Sequence, residues 1–428
     1  MTKRRLLLRG SLCQFCKGRL DMRVGMGKEP HSDQRCRFWG FGIVSFLASF
    51  AWSLNGFAKP FIPGSDDEVL ERLPVSTGSV NNELTDLRAA VGAASGNLEL
   101  AVKLAQIYIK LGQAESDPRY YGYAQGVLSP WWGEQEPPSR VRLLRAYIRQ
   151  NRHDFDGALK DLEQVLQIEP GNNQAWLTRA VILKVRARYD EARVSCLLLA
   201  QAKNPLLAMT CLAEVNSLTG RARESYDFLR EALQRYKELS QDQRFWSLTT
   251  LAEMAVRIDR NEEADGFFKE ALAIRPQSAY LLAAYADFLL DQRRPAEAVA
   301  LLADKSRIDT LLVRLALAKQ QIKADDLPEV TSKIEEQFAA SRFRNENFHQ
   351  GDEARFTLYI LGQPQEAVRL AAANWRMQRE PQDARILLEA AIAAHDRAAA
   401  QPVLELLAKT GMEHVQLKRL AAELDKLP

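Results

Sequence analysis

Two short patterns in the 428-residue sequence combine residue types that could bind a metal ion. Cys13-x-x-Cys16 has the spacing of a redox pair or of half a zinc site, and His153-Asp154-x-Asp156 joins an imidazole to two carboxylates. A structural zinc site needs four ligands, and no second Cys pair follows the first. The other pattern falls at a turn between two predicted helices, where Asp commonly caps the second helix. We therefore predict no metal at either place.

Residue patterns typical of enzymes are also missing from the sequence. It holds no Gly-rich phosphate loop, no His-Glu-x-x-His and no Gly-x-Ser-x-Gly. Adjacent carboxylates such as Glu262-Glu263 do not face each other on a helix and indicate solvated surface. We predict no catalytic residue and no cofactor. The alternative is an all-α toroidal enzyme, which would need His153, His349 or His395 to meet carboxylates in a deep pocket.

The N-terminal part of the chain has a pattern typical of export. Residues 1–37 hold ten Lys/Arg against three Asp/Glu, and residues 38–58 hold no charged residue. The short apolar run and the small residues Gly56 and Ala58 favour a secretory signal cleaved after Ala58, and hence a periplasmic body. The alternative is an inner-membrane anchor with a periplasmic body, because a membrane span needs about 20 apolar residues.

The rest of the chain is nearly neutral. Residues 59–428 contain 48 basic and 52 acidic residues, a balance of −4. Binding to nucleic acid needs clustered Lys and Arg that neutralise phosphates. We therefore expect no nucleic-acid partner.

One stretch, residues 173–204, shows the pattern that recurs along the body. Large and small residues stand at helical spacing on either side of a short turn, and a proline follows: Trp176, Ala180, Leu183, Tyr189, Ala192 and Pro205. This stretch resembles a tetratricopeptide repeat (TPR), a helix–turn–helix unit of 34 residues. Ala252 and Ala264 recur 34 residues later as Ala286 and Ala298. Small side chains at these places allow two helices to cross closely.

The resemblance implies an all-α fold, a TPR-like helix–turn–helix solenoid that forms a superhelix. In such an array each unit contacts only its neighbours. We expect five segments: a signal peptide or signal-anchor at 1–58, a linker at 59–82, an irregular helical repeat at 83–138, a regular TPR array at 139–308, and degenerate repeats with a C-terminal capping helix at 309–428.

The resemblance also implies a function in binding. In such repeats the first helices line a concave groove, and the repeat frame places ten residues there: Arg140, Tyr147, Gln150, Lys184, Glu214, Trp246, Glu253, Arg257, Tyr280 and Asp287. We expect a non-enzymatic scaffold that binds an extended or helical segment of a partner protein in this groove. The groove lacks the Lys/Asn clamp of repeats that hold the C-terminal carboxylates of chaperones. The alternative is a membrane-anchored assembly factor for an envelope or polysaccharide-export complex.

Cys196 and Cys211 fall on two helices that pack together in this kind of repeat. In an exported protein a disulfide between them would close a separation of 15 residues and stabilise the fold by about 3 kcal/mol. The alternative is a pair of unbonded cysteines that fill a helix contact, since free Cys is among the most buried residue types.

Overall fold

The protein is described by a computed structural model that covers residues 79–199, 205–236, 238–305, 307–343 and 350–427. These residues form twenty-one α-helices and no β-strand, and they belong to one compact unit, Ser76–Pro428. The all-α prediction is confirmed for this part of the chain. The predicted signal or anchor at 1–58 and the Cys13-x-x-Cys16 pattern lie outside the described residues.

The helices follow one another along the chain as the repeat pattern predicts. The first four are α1 (Ser79–Ala93), α2 (Leu98–Glu115), α3 (Arg119–Val127) and α4 (Ser129–Trp132). Four helix pairs follow: α5 (Ser139–Asn151) with α6 (Phe155–Ile168), α7 (Asn173–Val185) with α8 (Tyr189–Leu198), α9 (Pro205–Ser217) with α10 (Ala222–Arg235), and α11 (Gln241–Arg257) with α12 (Asn261–Ile274). Four more pairs are α13 (Ala279–Asp291) with α14 (Pro295–Leu302), α15 (Asp309–Ile322) with α16 (Leu327–Phe343), α17 (Gln350–Tyr359) with α18 (Pro364–Met377), and α19 (Pro381–Ala394) with α20 (Arg397–Thr410). The last helix is α21 (Val415–Leu424).

Polar caps start many of these helices. The Asp154 carboxylate accepts a hydrogen bond from the backbone N–H of Gly157 at 3.0 Å, so this residue caps α6 as the sequence predicted. Ser240 and Gln243 form a capping box at the start of α11. Each cap satisfies backbone N–H groups that have no partner within the first helical turn. Helix α1 begins at Ser79, inside the stretch expected to be a linker.

The turns inside the pairs repeat with the predicted period. His153, Ala187, Asp259 and Arg293 all have φ between 55° and 65°, in the left-handed region. His153 and Ala187 are 34 residues apart, and so are Asp259 and Arg293. A single left-handed residue turns the chain sharply enough for the second helix to pack back on the first. The 34-residue period is therefore present in the backbone as well as in the side chains.

Small residues occupy the helix crossings. The alanines that the repeat frame placed there are all at most 2% exposed: Ala146, Ala158, Ala180, Ala192, Ala213, Ala252, Ala264, Ala286 and Ala298. Larger buried side chains such as Tyr226 and Phe268 fill the space between pairs. Close helix approach with interdigitating large side chains is the packing that the repeat frame requires.

A disulfide links two successive pairs. Cys196 in α8 and Cys211 in α9 are bonded, with their Cα atoms 5.4 Å apart, and both residues are buried. The sequence left open whether these cysteines are bonded or free, and the structure shows the disulfide. The link ties the second helix of one pair to the first helix of the next.

The array also closes on itself. The backbone N–H of Arg379 donates to the carbonyl of Val185 at 2.8 Å, and that of Arg223 donates to the Glu413 carboxylate at 3.0 Å. One apolar cluster includes residues of α7, α8 and α9 together with residues of α17 to α21. We call the contact between α7–α10 and α19–α21 the closing seam. The expectation that each unit contacts only its neighbours is therefore wrong, because the curvature of the array brings α19 back to α7.

We predict that Gly220→Ala weakens the closing seam. Gly220 has φ +76°, and a Cβ there would lie 3.2 Å from the carbonyl oxygen of Gly411 and 3.3 Å from that of Thr410. Left-handed strain and this clash together should lower the free energy of unfolding by about 2 kcal/mol, measured by urea denaturation. The control is Gly266→Ala in α12, where the added methyl meets open space and should stabilise by about 0.5–1 kcal/mol. Wild-type stability in Gly220→Ala would contradict close packing of the two turns.

Candidate functional site

The first helices of the central pairs surround a cavity of about 130 Å³, which we call the central cavity. The array side of its wall contributes charged and aromatic residues: Lys184, Glu253, Arg257, Tyr280, Asp287 and Asp291. The C-terminal pairs contribute the opposite wall: Arg355, Glu380, Pro381, Gln382, Arg385, His414 and Gln416. Five of the ten groove residues inferred from the repeat frame thus lie together around one cavity.

Lys184 joins the two walls of the cavity. Its ammonium lies 2.6 Å from a carboxylate oxygen of Glu214, which the repeat frame also assigned to the groove, and 3.2 Å from one of Glu380. All three side chains are less than one-fifth exposed. Burial disfavours the charged amine, but the attraction of Glu214 and Glu380 outweighs it and raises the pKa of Lys184 above its usual range. This cation therefore holds α7 and α9 against the start of α19.

Glu253, Arg257 and Tyr280 form a second group on the array side. The Tyr280 hydroxyl donates to one Glu253 oxygen, and Arg257 donates to the hydroxyl of Ser217. Arg257 and Glu253 are separated by 3.5 Å, a long ion-pair distance. Burial raises the pKa of Glu253, although the charges of Arg257 and Lys184 oppose that effect. Tyr280 remains 51% exposed, so solvent reaches this side of the cavity.

Asp287 and Asp291 tie α13 to later helices. Asp287 accepts hydrogen bonds from Arg314 at 2.8 Å and from Arg355 at 2.6 Å, and these two guanidinium groups lower its pKa although burial alone would raise it. Asp291 accepts two hydrogen bonds from Arg385, each 2.7 Å long, across 94 residues of sequence. Paired N–H donors in a fork match the geometry of a carboxylate.

Sequence reasoning missed the C-terminal wall of the cavity. Arg355 and Arg385 lie on α17 and α19, which are first helices of later pairs, so extension of the repeat frame would have found them. Glu380 and His414 lie just before helices, at places where the frame assigns no inward-facing role. Only the curvature of the array brings these two residues to the cavity.

The remaining predicted groove residues lie away from the central cavity. Arg140 is exposed and pairs with Glu99. Tyr147 is half-buried and accepts a hydrogen bond from the Gln113 amide at 2.7 Å, and burial raises its pKa. Gln150 and Trp246 are half-buried, and Trp246 packs against the apolar cluster of the closing seam.

The histidines take separate places. His153 stacks on Phe155 with ring centroids 5.4 Å apart, His395 ends α19 with φ 53°, and His349 lies outside the described residues. The histidine at the cavity is His414, whose burial together with Arg257 and Arg385 lowers its pKa to about 3. Within the described ranges, no three His, Cys, Asp or Glu side chains are grouped as a metal site would require.

The similarity to a known family lies in the central pairs. Residues 205–277, which include α9 to α12, match the family model for the tetratricopeptide repeat. This segment of the chain is similar to tetratricopeptide repeats. A rice protein (Oryza sativa subsp. japonica), DnaJ protein P58IPK homolog A, is 31% identical over 87 residues, which is 20% of this chain and 17% of that protein. The chain therefore matches only a small part of this relative's length.

Several solved structures are also similar to this chain. The human IFIT1 dimer with PPP-AAAA shows 13% identity and a TM-score of 0.42, covering 82% of this chain and 88% of its own. The Cut9-Hcn1 hetero-tetramer of APC/C shows 11% identity and a TM-score of 0.38, covering 81% and 88%. A tetratricopeptide repeat protein from Parabacteroides merdae shows 12% identity and a TM-score of 0.32, covering 67% and 99%. Sequence identities and TM-scores as low as these carry no information about the partners of this chain.

We predict opposite pH effects from two buried groups at the closing seam. Burial, and to a smaller extent the negative charge of Glu380, raises the pKa of Asp383 from 3.8 to about 7. The stability that the protonated Asp383 contributes to the folded state is therefore lost as the pH rises from 3.8 to about 7. His414 has the opposite effect because its pKa is lowered. The stability that the neutral imidazole contributes to the folded state is lost as the pH falls from 6.5 towards 3. Between about pH 4 and about pH 6.5 the two slopes, each near 1.4 kcal/mol per pH unit at most, should largely cancel.

The two contributions separate in single variants. In Asp383→Asn only the pH dependence caused by His414 remains. The free energy of unfolding of this variant should therefore rise between about pH 4.5 and about pH 6.5, whereas that of the wild type should change little. In His414→Gln only the pH dependence caused by Asp383 remains, so the free energy of unfolding of this variant should fall over the same pH range. Urea denaturation at both pH values measures each slope. Parallel slopes in the two variants would show that neither group has the shifted pKa.

Proposed function

We propose that this TPR protein is a non-enzymatic scaffold that binds a segment of a partner protein on the inner face of α5. The N-terminal inner face, as we name it, consists of Arg140, Tyr147 and Gln150. One observation carries the proposal: Arg140 is exposed and Tyr147 and Gln150 are half-buried, whereas Lys184, Glu214 and Arg257 are largely buried in contacts at or beside the central cavity. A helix is about 10 Å across, so a cavity of 130 Å³ leaves no room for a partner segment in the closed ring.

The composition of the N-terminal inner face suits protein recognition. Tyr147 presents a large, rigid ring with a polar end, and tyrosine and arginine are enriched among the residues that dominate binding energy. Tyr121, Trp131 and Trp132 pack against the same N-terminal apolar cluster as Tyr147. This supports a partner segment that carries both apolar and charged side chains.

The rigidity of the body supports a preformed binding surface. The Cys196–Cys211 bond and the closing seam both restrict movement of the pairs that follow α5 and α6. A surface that is already ordered loses less conformational entropy when a partner docks.

Site-specific photo-cross-linking in the native host tests this function. A photoreactive amino acid at Gln150 should capture a discrete protein partner, because this residue lies on the N-terminal inner face. The matched control is Val194 on the second helix α8, which is 52% exposed but lies on the other side of its pair. Tyr147→Ala should reduce capture at Gln150 by about tenfold or more, as loss of a central aromatic contact commonly does. Equal capture at both positions, or capture unaffected by Tyr147→Ala, would contradict the proposal.

We also propose that the protein is exported and works in the periplasm. The basic segment 1–37, the uncharged run 38–58 and the small residues at its end support a signal peptide. The disulfide agrees with an oxidising compartment, where such bonds persist. Among the described residues, no helix has both the length and the apolar character that crossing a bilayer requires.

Fractionation of the native host, followed by intact mass and N-terminal sequencing, tests export. We expect a soluble exported chain that starts at Lys59, with a mass about 2 Da below that of the fully reduced form, since one disulfide removes two hydrogens. Recovery of the intact 38–58 segment in the membrane fraction would instead support the membrane-anchored assembly factor. Recovery from the cytoplasm with both thiols reduced would contradict both versions of export.

A further inference from the structure

The central cavity contains one ion pair that is looser than the others. Lys184, Arg355 and Arg385 each have a carboxylate oxygen within 2.7 Å, on Glu214, Asp287 and Asp291 respectively. The separation between Arg257 and Glu253 is 3.5 Å, although they are one turn apart on the same helix. Arg257 is only 6% exposed, so its charge is held away from bulk water without a close carboxylate. A cation and an anion at this spacing have unused capacity for hydrogen bonds.

His414 adds a further polar group without a partner. It lines the same cavity, is 8% exposed, and its Nδ1 atom has no hydrogen-bond partner among the described residues. A buried polar atom without a partner costs free energy, and such atoms are rare in folded proteins. A neutral imidazole can carry an N–H at Nδ1, so His414 can donate a hydrogen bond to an anionic group.

The size and accessibility of the cavity limit what can enter. Its volume is about 130 Å³, and a cavity of about 150 Å³ in another protein holds one benzene molecule. Solvent reaches it, because half of the Tyr280 surface is exposed. A ligand must therefore be small, and the nearby charges of both signs disfavour a purely cationic or purely anionic one.

We propose that the central cavity binds a small zwitterion, a free α-amino acid with a short side chain. Its carboxylate would lie between Arg257 and the Nδ1–H of His414, and its ammonium would lie against Glu253. Each end of the ligand then meets a group of opposite charge. Arg257 already donates to Ser217, and Glu253 already accepts from Tyr280, but their nearest charged partners are each other, at 3.5 Å. The ligand would give each of them a closer group of opposite charge. This site is separate from the N-terminal inner face and does not depend on it.

Binding at this place would strengthen the ring. Arg257 and Glu253 belong to α11, whereas His414 precedes α21 on the other side of the closing seam. A ligand held by both sides binds only the closed form, so it stabilises that form by mass action. The ligand would therefore act as a further link across the seam.

Calorimetric titration and thermal denaturation of the full chain test the proposal. We expect glycine and alanine to bind and to raise the melting temperature, because both fit the volume and carry both charges. Acetate and methylammonium, which each carry one charge, should bind at least about tenfold more weakly, and phenylalanine should not bind. Hydrogen exchange should slow in α19 and α21 when alanine is added. The absence of any binding by glycine and alanine, or equal effects of acetate and alanine, would overturn the proposal.

Matched variants locate the site. Glu253→Gln is nearly isosteric and should weaken alanine binding by about tenfold, since it removes the partner of the ammonium. Arg257→Gln should do the same at the carboxylate end. Arg235→Gln, at an exposed position in the last turn of α10 and outside the cavity, should leave binding unchanged. If Arg257→Gln does not fold, the His414 imidazole signals of the wild-type protein decide by NMR. They must shift with alanine and stay unchanged with methylammonium, and unchanged signals with alanine would overturn the assignment.

Discussion

The structure depends on the contact that closes the array on itself. A solenoid with open ends would leave the apolar inner sides of its last pairs in water, and the closing seam buries them against α7 to α10. The polar contacts across it specify the register of this closure. Glu380 meets Lys184 at 3.2 Å across the seam, and Arg385 meets Asp291 of α13 at 2.7 Å across the central cavity. The closure thus combines an apolar cluster with ion pairs between residues far apart in the sequence.

Charged residues around the central cavity follow from the same geometry. First helices of a curved array converge on the inside, so their inward side chains meet each other across a short distance. Buried ion pairs contribute little net stability compared with apolar side chains, but loss of one partner leaves an uncompensated charge. Most cations in the cavity wall have a close carboxylate, and Arg257 is the exception among those that line it in the described residues. The zwitterion site that we propose rests on this exception.

The closed ring also divides the inner surface into parts with different roles. The inward side chains Lys184, Glu214 and Arg257 are largely buried at or beside the central cavity, whereas Arg140 on α5 is exposed and Tyr147 is half-buried. The repeat pattern predicts one continuous groove lined by all first helices. The structure instead has two separate surfaces. One is the central cavity of about 130 Å³, and the other is the N-terminal inner face on α5. The disulfide between α8 and α9 links two successive helix pairs of the array.

Local patterns in the sequence determined the helices, their pairing and their period. Small residues such as Ala252 and Ala286, recurring every 34 positions, specify where helices cross, and Asp154 marks a helix start, because these preferences act within one or two turns. The same frame also predicted that Lys184, Glu253 and Arg257 face inwards. Glu380, which pairs with Lys184, and His414, which lines the same cavity, came only from the tertiary structure. Small rotations between successive pairs add up over the whole array, and only that sum decides that residues far apart in the chain meet.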